Sequence, residues 1–211
     1  MNRALQWGIA SVTMTSLCIL SYFFADIQTT LWFHSLGKTW AYELFKKITH
    51  FGDSLYYLIG GLFLFVVFWN KKAHQASHLA YSGLFLFSTV AASGLTADLI
   101  KYIAGRARPK LYFSDHLFGF DFFHWEYAWT SFPSGHSATA FSVGMLLSSL
   151  YPRWRFFWFF GAVIVAFSRI FLSQHYISDV IAGSFLGIVS TLLLYNYFFK
   201  YKLDVSEQKK I

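Results

Sequence analysis

Six long apolar runs dominate this sequence and favour one kind of fold, a bundle of membrane-spanning helices. The runs lie at residues 4–25, 54–69, 79–100, 134–151, 156–173 and 177–199. A helix needs about 20 apolar residues to cross a bilayer, and shorter runs suffice where the bilayer thins. Only 13% of the residues are charged, against about 25% in soluble domains. We therefore predict an all-α polytopic membrane protein with six transmembrane helices.

Residues 26–53 separate the first two apolar runs and mix aromatic side chains with charged ones such as Lys38, Glu43 and Lys46. Such a mixture is typical of an amphipathic helix that lies at the membrane interface. The alternative is an ordinary loop with aromatic anchors. We predict an interfacial helix here. The length of the chain and the lack of repeats or linkers indicate a single domain over residues 1–211.

The formal charge of +7 does not indicate a nucleic-acid partner, because the basic residues are scattered among the loops between apolar runs. With six spans, nine Lys and Arg residues fall on the side of the termini and eight on the other. Setting aside Lys101, Arg108 and Arg169, which are assigned to chemistry below, leaves five on that other side. The positive-inside rule then predicts that both termini are cytoplasmic.

Three polar residues that are costly to place in a membrane, Arg169, His175 and Asp179, lie within eleven positions where the last two apolar runs meet. Ionisable residues beside or inside membrane segments usually mark function. A helix that begins near Tyr176 places His175 and Asp179 one turn apart on the same face. The carboxylate is then able to accept the proton of one imidazole nitrogen and leave the other free to attack. The alternative is a helix-end arginine that snorkels to water beside a hydrogen-bonded histidine.

The alternation of six spans brings the other unusual residues to the same membrane face. Lys101 and Arg108 lie at the end of the third run, where Pro109 blocks a continuing helix and biases Arg108 toward extended backbone. Taken alone, this cluster also fits a stop-transfer signal. Ser134, Gly135 and His136 lie at the start of the fourth run, and free N–H groups at a helix start form an anion site.

Together these residues make up the inventory for phosphoryl transfer, which needs positioning and stabilisation of charge on the equatorial oxygens, a nucleophile and a proton donor. The cations would be Lys101, Arg108 and Arg169, and the two histidines would be His136 and His175. No cluster of carboxylates in the sequence suggests a divalent metal. We therefore expect neither a metal nor another cofactor.

These residues resemble the three signature motifs of the type 2 phosphatidic acid phosphatase (PAP2) superfamily. The motifs are Lys101 with Arg108-Pro109, then Pro133-Ser134-Gly135-His136, then Ser168-Arg169 with His175 and Asp179. All three stand in order with the internal spacing of the family. The motif region covers residues 101–179, and the six-span layout extends the resemblance to most of the chain.

The resemblance implies an enzyme that hydrolyses a lipid phosphate without a metal. It implies that His175 is the nucleophile that forms a phosphohistidine, that Asp179 orients it, and that His136 protonates the leaving group and then helps to activate water. It implies phosphate binding by Lys101, Arg108, Ser134, the backbone at Gly135, and Arg169. Arg106 and Lys110 lie outside the pattern, and we expect Asp98 to hold Lys101 in place.

From the resemblance, the candidate substrates are undecaprenyl diphosphate, phosphatidylglycerol phosphate, phosphatidic acid and a lipid A phosphate. The expected location is the inner membrane of a bacterium, with the site facing the periplasm or exterior and with no obligate protein partner. Two alternatives stay open: transfer of phosphate to another lipid, and a transporter or proton relay that uses the same charges. The aromatic loop 110–132 is either a lid over the lipid or an interfacial belt.

Overall fold

The computed structural model describes residues 2–70 and 74–203, which fold into helices joined by turns and loops. The helices are α1 (Arg3–Phe24), α2 (Asp26–Ser35), α3 (Trp40–Ile48), α4 (Ser54–Phe68), α5 (His74–Ala104), α6 (Pro109–Asp115), α7 (Gly135–Leu150), α8 (Arg155–Phe171) and α9 (Ile177–Leu194). A 3-10 turn over Thr49–Gly52 joins α3 to α4, and a π-helical turn over Tyr195–Phe199 extends α9. The described residues contain no β-strand, so the all-α prediction is confirmed.

Each of the six apolar runs forms a helix, and five stretches among residues 2–70 and 74–203 are long and apolar enough to cross a membrane. They are Leu5–Phe24, Trp40–Phe68, Gln75–Ala104, Pro152–Phe171 and Ile177–Leu203. The fourth run forms α7, which has only 16 residues. The count of six spans therefore stays a prediction.

Residues 26–53 form two helices and a 3-10 turn rather than an ordinary loop. α3 and the turn pack against α8, and the turn also contacts α7. α3 runs through the turn into α4 as part of one candidate span, Trp40–Phe68. The position of a helix from residues 26–53 at the membrane interface stays a prediction.

α7 lies at the centre of the bundle, in contact with α5, α8 and α9, while α4 packs along α5 and α1 along α9. Two glycines of α9 allow its close approach to α7. A Cβ atom on Gly183 would lie 2.3 Å from the carbonyl oxygen of Ser134, and one on Gly187 would lie 2.3 Å from that of Ala138. The glycine pair therefore serves packing within the chain. These contacts also bring the start of α9 to the start of α7, where the site lies.

A candidate active site at four helix ends

The turn between α8 and α9 sets His175 beside Arg169. The backbone N–H groups of Gln174 and His175 both donate to the carbonyl oxygen of Arg169, at 3.0 and 3.2 Å. Ser173 adopts the left-handed region, with φ of 51°, which reverses the chain after α8. Both Arg169 and His175 are buried, so the turn holds a cation and an imidazole together inside the protein.

The hydrogen bonds of His175 assign its tautomer. Its Nδ1 lies 2.8 Å from the carbonyl oxygen of Ser131 and 3.5 Å from the carboxylate of Asp179. Both groups are acceptors, so Nδ1 carries the proton and Nε2 keeps its lone pair. Burial lowers the pKa of His175 to about 3, and Arg108 and Arg169 act in the same direction while Asp179 opposes them. The ring is therefore neutral at neutral pH, with Nε2 available to attack.

Asp179 is fully buried and held by three donors besides its neighbour His175. One carboxylate oxygen accepts from the hydroxyl of Ser131 at 2.6 Å and from the backbone N–H of Tyr176 at 2.9 Å. The other accepts from the guanidinium of Arg106. A buried carboxylate with this many donors has a fixed orientation. The carboxylate oxygen near Nδ1 of His175 is therefore held in place.

Arg108 bridges the start of α6 and the turn that carries His175. It adopts extended backbone, with φ of −75° and ψ of 157°, as the proline after it predicts. Its Nη1 lies 3.4 Å from Nε2 of His175, and its other donors bind the carbonyl oxygens of Tyr127 and Thr130 at 2.8 and 3.0 Å. The ring of Tyr127 lies 3.9 Å from the guanidinium carbon. Arg108 is therefore fixed beside the nitrogen that would attack.

The start of α7 faces Lys101. Ser134 caps α7 by accepting the amide hydrogen of Ser137, while the first turn of any helix leaves N–H groups without an intrahelical partner. A Cβ atom on Gly135 would lie 3.2 Å from Nζ of Lys101, so the ammonium stands directly over this backbone. Lys101 also pairs with Asp98 at 2.7 Å, which confirms the predicted pairing. A cation and a helix start thus meet at one point, as an anion site requires.

His136 and Arg169 meet the 3-10 turn Thr49–Gly52. Arg169 donates from Nη1 to the hydroxyl of Thr49 at 2.6 Å, and its buried Nε has no hydrogen-bond partner in the part of the chain that the structure describes. Gly52 packs against the ring of His136, because a Cβ atom there would lie 2.9 Å from Cδ2 of the imidazole. His136 also lies within electrostatic range of three cations, Lys101, Arg108 and Arg169. A phosphate bound at this point would neutralise the charges of these three cations.

The eight residues predicted for the site therefore lie close together, with His136 on α7 and His175 in the turn between α8 and α9. Within the described part of the chain, no group of three or more His, Cys, Asp or Glu side chains lies close enough to hold a metal ion.

Comparison with known protein families agrees with this arrangement. The model of the PAP2 superfamily matches residues 82–203, which is more than half of the chain. The chain belongs to the PAP2 superfamily. The resemblance inferred from the three motifs is confirmed, and the matched region includes every predicted site residue.

Relatives of this PAP2 protein include two proteins named lipid A 1-phosphatase. The one from Rhizobium etli is 36% identical over 69% of this chain and 66% of its own length. The one from Rhizobium johnstonii is 35% identical over 72% of this chain and 65% of its own length. The matches thus span just under two thirds of these relatives. A transmembrane PAP2 type phosphatidylglycerolphosphate phosphatase from Bacillus subtilis shares the fold, with a TM-score of 0.60 at 20% identity over 90% of this chain and 96% of that one.

Several residues of the site in this PAP2 protein were not predicted. Arg106, placed outside the motif pattern, is fully buried and joins Asp179 to Asp26 at the start of α2. The carboxylates of Asp179 and Asp26 raise the pKa of Arg106, and together they outweigh the opposite effect of burial. Thr49 lies in the segment predicted as an interfacial helix and Ser131 in the aromatic loop 110–132, and neither was assigned to the site. Of these residues, Asp26 is the one that the sequence could have indicated as functional, since it is a carboxylate directly after an apolar run.

Proposed function

We propose that this protein is a metal-independent phosphatase that hydrolyses a phosphomonoester or diphosphate on a membrane lipid through a phosphohistidine. The observation that supports this best is the neutral imidazole of His175, whose Nε2 keeps its lone pair 3.4 Å from the guanidinium of Arg108. A nucleophile beside fixed cations is the arrangement that phosphoryl transfer requires.

In the first step, Nε2 of His175 attacks phosphorus and the bond from phosphorus to the lipid oxygen breaks. His136 gives a proton to that leaving oxygen. Lys101, Arg108 and Arg169 bind the three equatorial oxygens, joined by Ser134 and the free amides at Gly135. The carbonyl of Ser131 and the carboxylate of Asp179 hold the Nδ1 proton and stabilise the charge that develops on the imidazole.

In the second step, water attacks the phosphohistidine and His136 takes up the proton of that water. The bond from phosphorus to Nε2 breaks, inorganic phosphate leaves, and His175 returns to its neutral tautomer. Both histidines therefore end the cycle in the protonation states in which they began it.

We infer that the domain spans the membrane six times, with α7 as the fourth span. At 1.5 Å per residue its 16 residues reach about 24 Å, less than the ~30 Å of a hydrocarbon core. Because α5, α8 and α9 surround it, α7 needs no full-length lipid-facing surface. Six spans bring both termini to one side of the membrane, and the distribution of Lys and Arg favours the cytoplasm for that side. The proposed site then faces the outside of an inner membrane. No obligate protein partner is part of the proposal.

A lipid A phosphate is the substrate that the named relatives favour. Rhizobium etli lipid A 1-phosphatase is 36% identical, whereas the likeness to the Bacillus subtilis enzyme concerns the fold alone. Undecaprenyl diphosphate, phosphatidylglycerol phosphate and phosphatidic acid complete the set to be tested.

Phosphate release from this panel by detergent-solubilised protein is the experiment that tests the proposal. We expect release from at least one lipid without a sealed vesicle or an ion gradient, and we expect EDTA to leave the rate unchanged because the cations take the place of a metal. Activity only in sealed vesicles with a gradient would favour a transporter. Strong inhibition by EDTA, reversed by added metal, would refute the metal-independent mechanism.

His136→Ala is expected to slow hydrolysis most for substrates with poor leaving groups. General acid catalysis contributes typically 10²–10⁴-fold, so we expect a loss of about that size for an alkyl phosphate and a much smaller loss for an aryl phosphate with an acidic phenol. The measurement is kcat for a series of leaving groups. An equal loss across the series would argue against the acid role.

A further inference from the structure

A cationic cavity of about 520 Å³ lies beside Arg108, outside the cluster of motif residues. We define it by six of its lining residues: His34, Lys38, Arg108, Lys110, Ser114 and Gln174. It lies between the end of α2, the start of α6 and the turn between α8 and α9. The ring of His34 on α2 stacks on that of Phe113 on α6, with centroids 3.8 Å apart. This contact holds α2 against α6 at the cavity.

The charge of the cationic cavity has one sign. Lys38, Arg108 and Lys110 line it, and no Asp or Glu does. Both lysines are exposed, and neither forms an ion pair with a carboxylate among residues 2–70 and 74–203. Two lysines without a carboxylate partner, next to the guanidinium of Arg108, favour an anionic occupant. A hydrocarbon chain does not suit this cavity, because it would take those charges out of water without pairing them.

The cavity is adjacent to the reacting nitrogen. Arg108 lines the cavity and also lies 3.4 Å from Nε2 of His175. Gln174 lines it as well, directly precedes His175, and accepts from Nη1 of Arg108 at 3.4 Å. A group held in the cavity is thus separated from the site of attack by a single side chain, so the two positions suit two parts of one molecule.

The size of the cavity is that of a headgroup rather than a single phosphate. Pockets for small molecules measure about 300–1,000 Å³, and this one lies within that range. Phe33, Phe171 and Leu172 supply apolar surface beside the cations. Such a mixture suits a sugar or polyol ring that carries an anionic substituent.

We infer that the cationic cavity binds a second phosphate on the headgroup of the same lipid whose first phosphate reacts at His175, with Lys38 and Lys110 as its ligands. This inference rests on the proposed phosphatase function and narrows its substrate to lipids with two separate phosphates. The two lysines determine specificity and take no part in the chemistry.

The test compares two lipids, one with phosphates on two different sugar carbons and one that retains only the phosphate that the enzyme removes. KM and kcat are measured for both in detergent micelles. For the wild-type protein we expect a KM about 10-fold lower for the two-phosphate lipid, the size expected of one charge-assisted contact. Lys38→Ala with Lys110→Ala should abolish that difference by raising KM for the two-phosphate lipid alone, with kcat unchanged.

Lys46→Ala with Lys47→Ala is the matched control, since it removes the same charge from exposed positions of α3 that do not line the cavity. It should leave both KM values unchanged. Equal KM values for the two lipids in the wild type would overturn the inference, as would an equal rise for both in the Lys38 and Lys110 variant. A site for free phosphate would instead appear as weaker inhibition by inorganic phosphate in that variant, without discrimination between lipids, and would also overturn it. No release from either lipid would refute the phosphatase function itself.

Discussion

His175→Ala is expected to reduce phosphate release by at least about 10⁴-fold, because loss of a nucleophile removes the covalent route and leaves only binding and charge stabilisation. The structure gives a reason to expect a clean result. The ring of His175 is buried, its Nδ1 lies 2.8 Å from the carbonyl oxygen of Ser131, and its Nε2 lies 3.4 Å from Nη1 of Arg108. His136 belongs to a different element and cannot take over the attack without movement of α7.

The measurement pairs kcat with a search for the covalent intermediate. Rapid acid-free quenching of the wild type with a labelled lipid phosphate should trap a base-stable, acid-labile phosphoryl group on the protein, and His175→Ala should trap none. His124→Ala is the matched control, because His124 pairs with Asp121 in the loop before α7 and has no role in the site. A His175→Ala protein that retains most of its activity would disprove the nucleophile assignment. An inactive variant that still traps phosphate would move the nucleophile elsewhere.

Local rules predicted much of the site from the sequence. Pro109 predicted the extended backbone at Arg108, and three-residue spacing on a helix predicted the pair of Lys101 and Asp98. The apolar runs predicted where helices form, and hence that the ends carrying Lys101, His136 and His175 meet. In each case the cause lies within a few residues or in the order of the helices, so a single sequence is sufficient.

Contacts between distant residues were not predictable in the same way. His175 binds the carbonyl of a residue 44 positions away, and Arg169 binds Thr49 across 120 positions. The carboxylate of Asp179 was expected to be the acceptor for His175, whereas the carbonyl of Ser131 is the nearer group. Backbone carbonyls have no sequence signature, since every residue carries one. Partners of this kind become visible only when the chain is folded.

The partners of Arg106 are also distant in the sequence, and its substitution is expected to have a large effect on stability. Its guanidinium binds Asp179 on one side and Asp26, 80 positions away, on the other. The rings of Tyr22, Phe118, Phe120, Phe132 and Tyr176 lie around it, with centroids 4.7–6.0 Å from the guanidinium carbon. Part of the aromatic loop 110–132 thus encloses this ion pair, whereas Phe122, Phe123 and Trp125 are exposed.

Arg106→Ala is expected to destabilise the protein by about 3–5 kcal/mol, since it leaves two buried carboxylates without their cation. The measurement is the shift in the unfolding temperature in detergent. Arg153→Ala, at an exposed position before α8, should stay within about 0.5 kcal/mol of the wild type. Arg106→Lys keeps the charge but loses the fork that reaches both carboxylates, so we expect an intermediate loss.

The variant pair Arg106→Ala and Asp26→Asn separates the ion pair from simple loss of packing. Without Arg106, Asp26 is a buried charge next to Asp179, so its neutralisation should recover part of the stability that Arg106→Ala loses. In the presence of Arg106, Asp26→Asn should instead destabilise, because it removes one of the two counter-charges. The opposite signs follow only if the carboxylate of Asp26 is coupled to the guanidinium of Arg106. Additive losses in the double variant would show that the carboxylate of Asp26 and the guanidinium of Arg106 are not coupled.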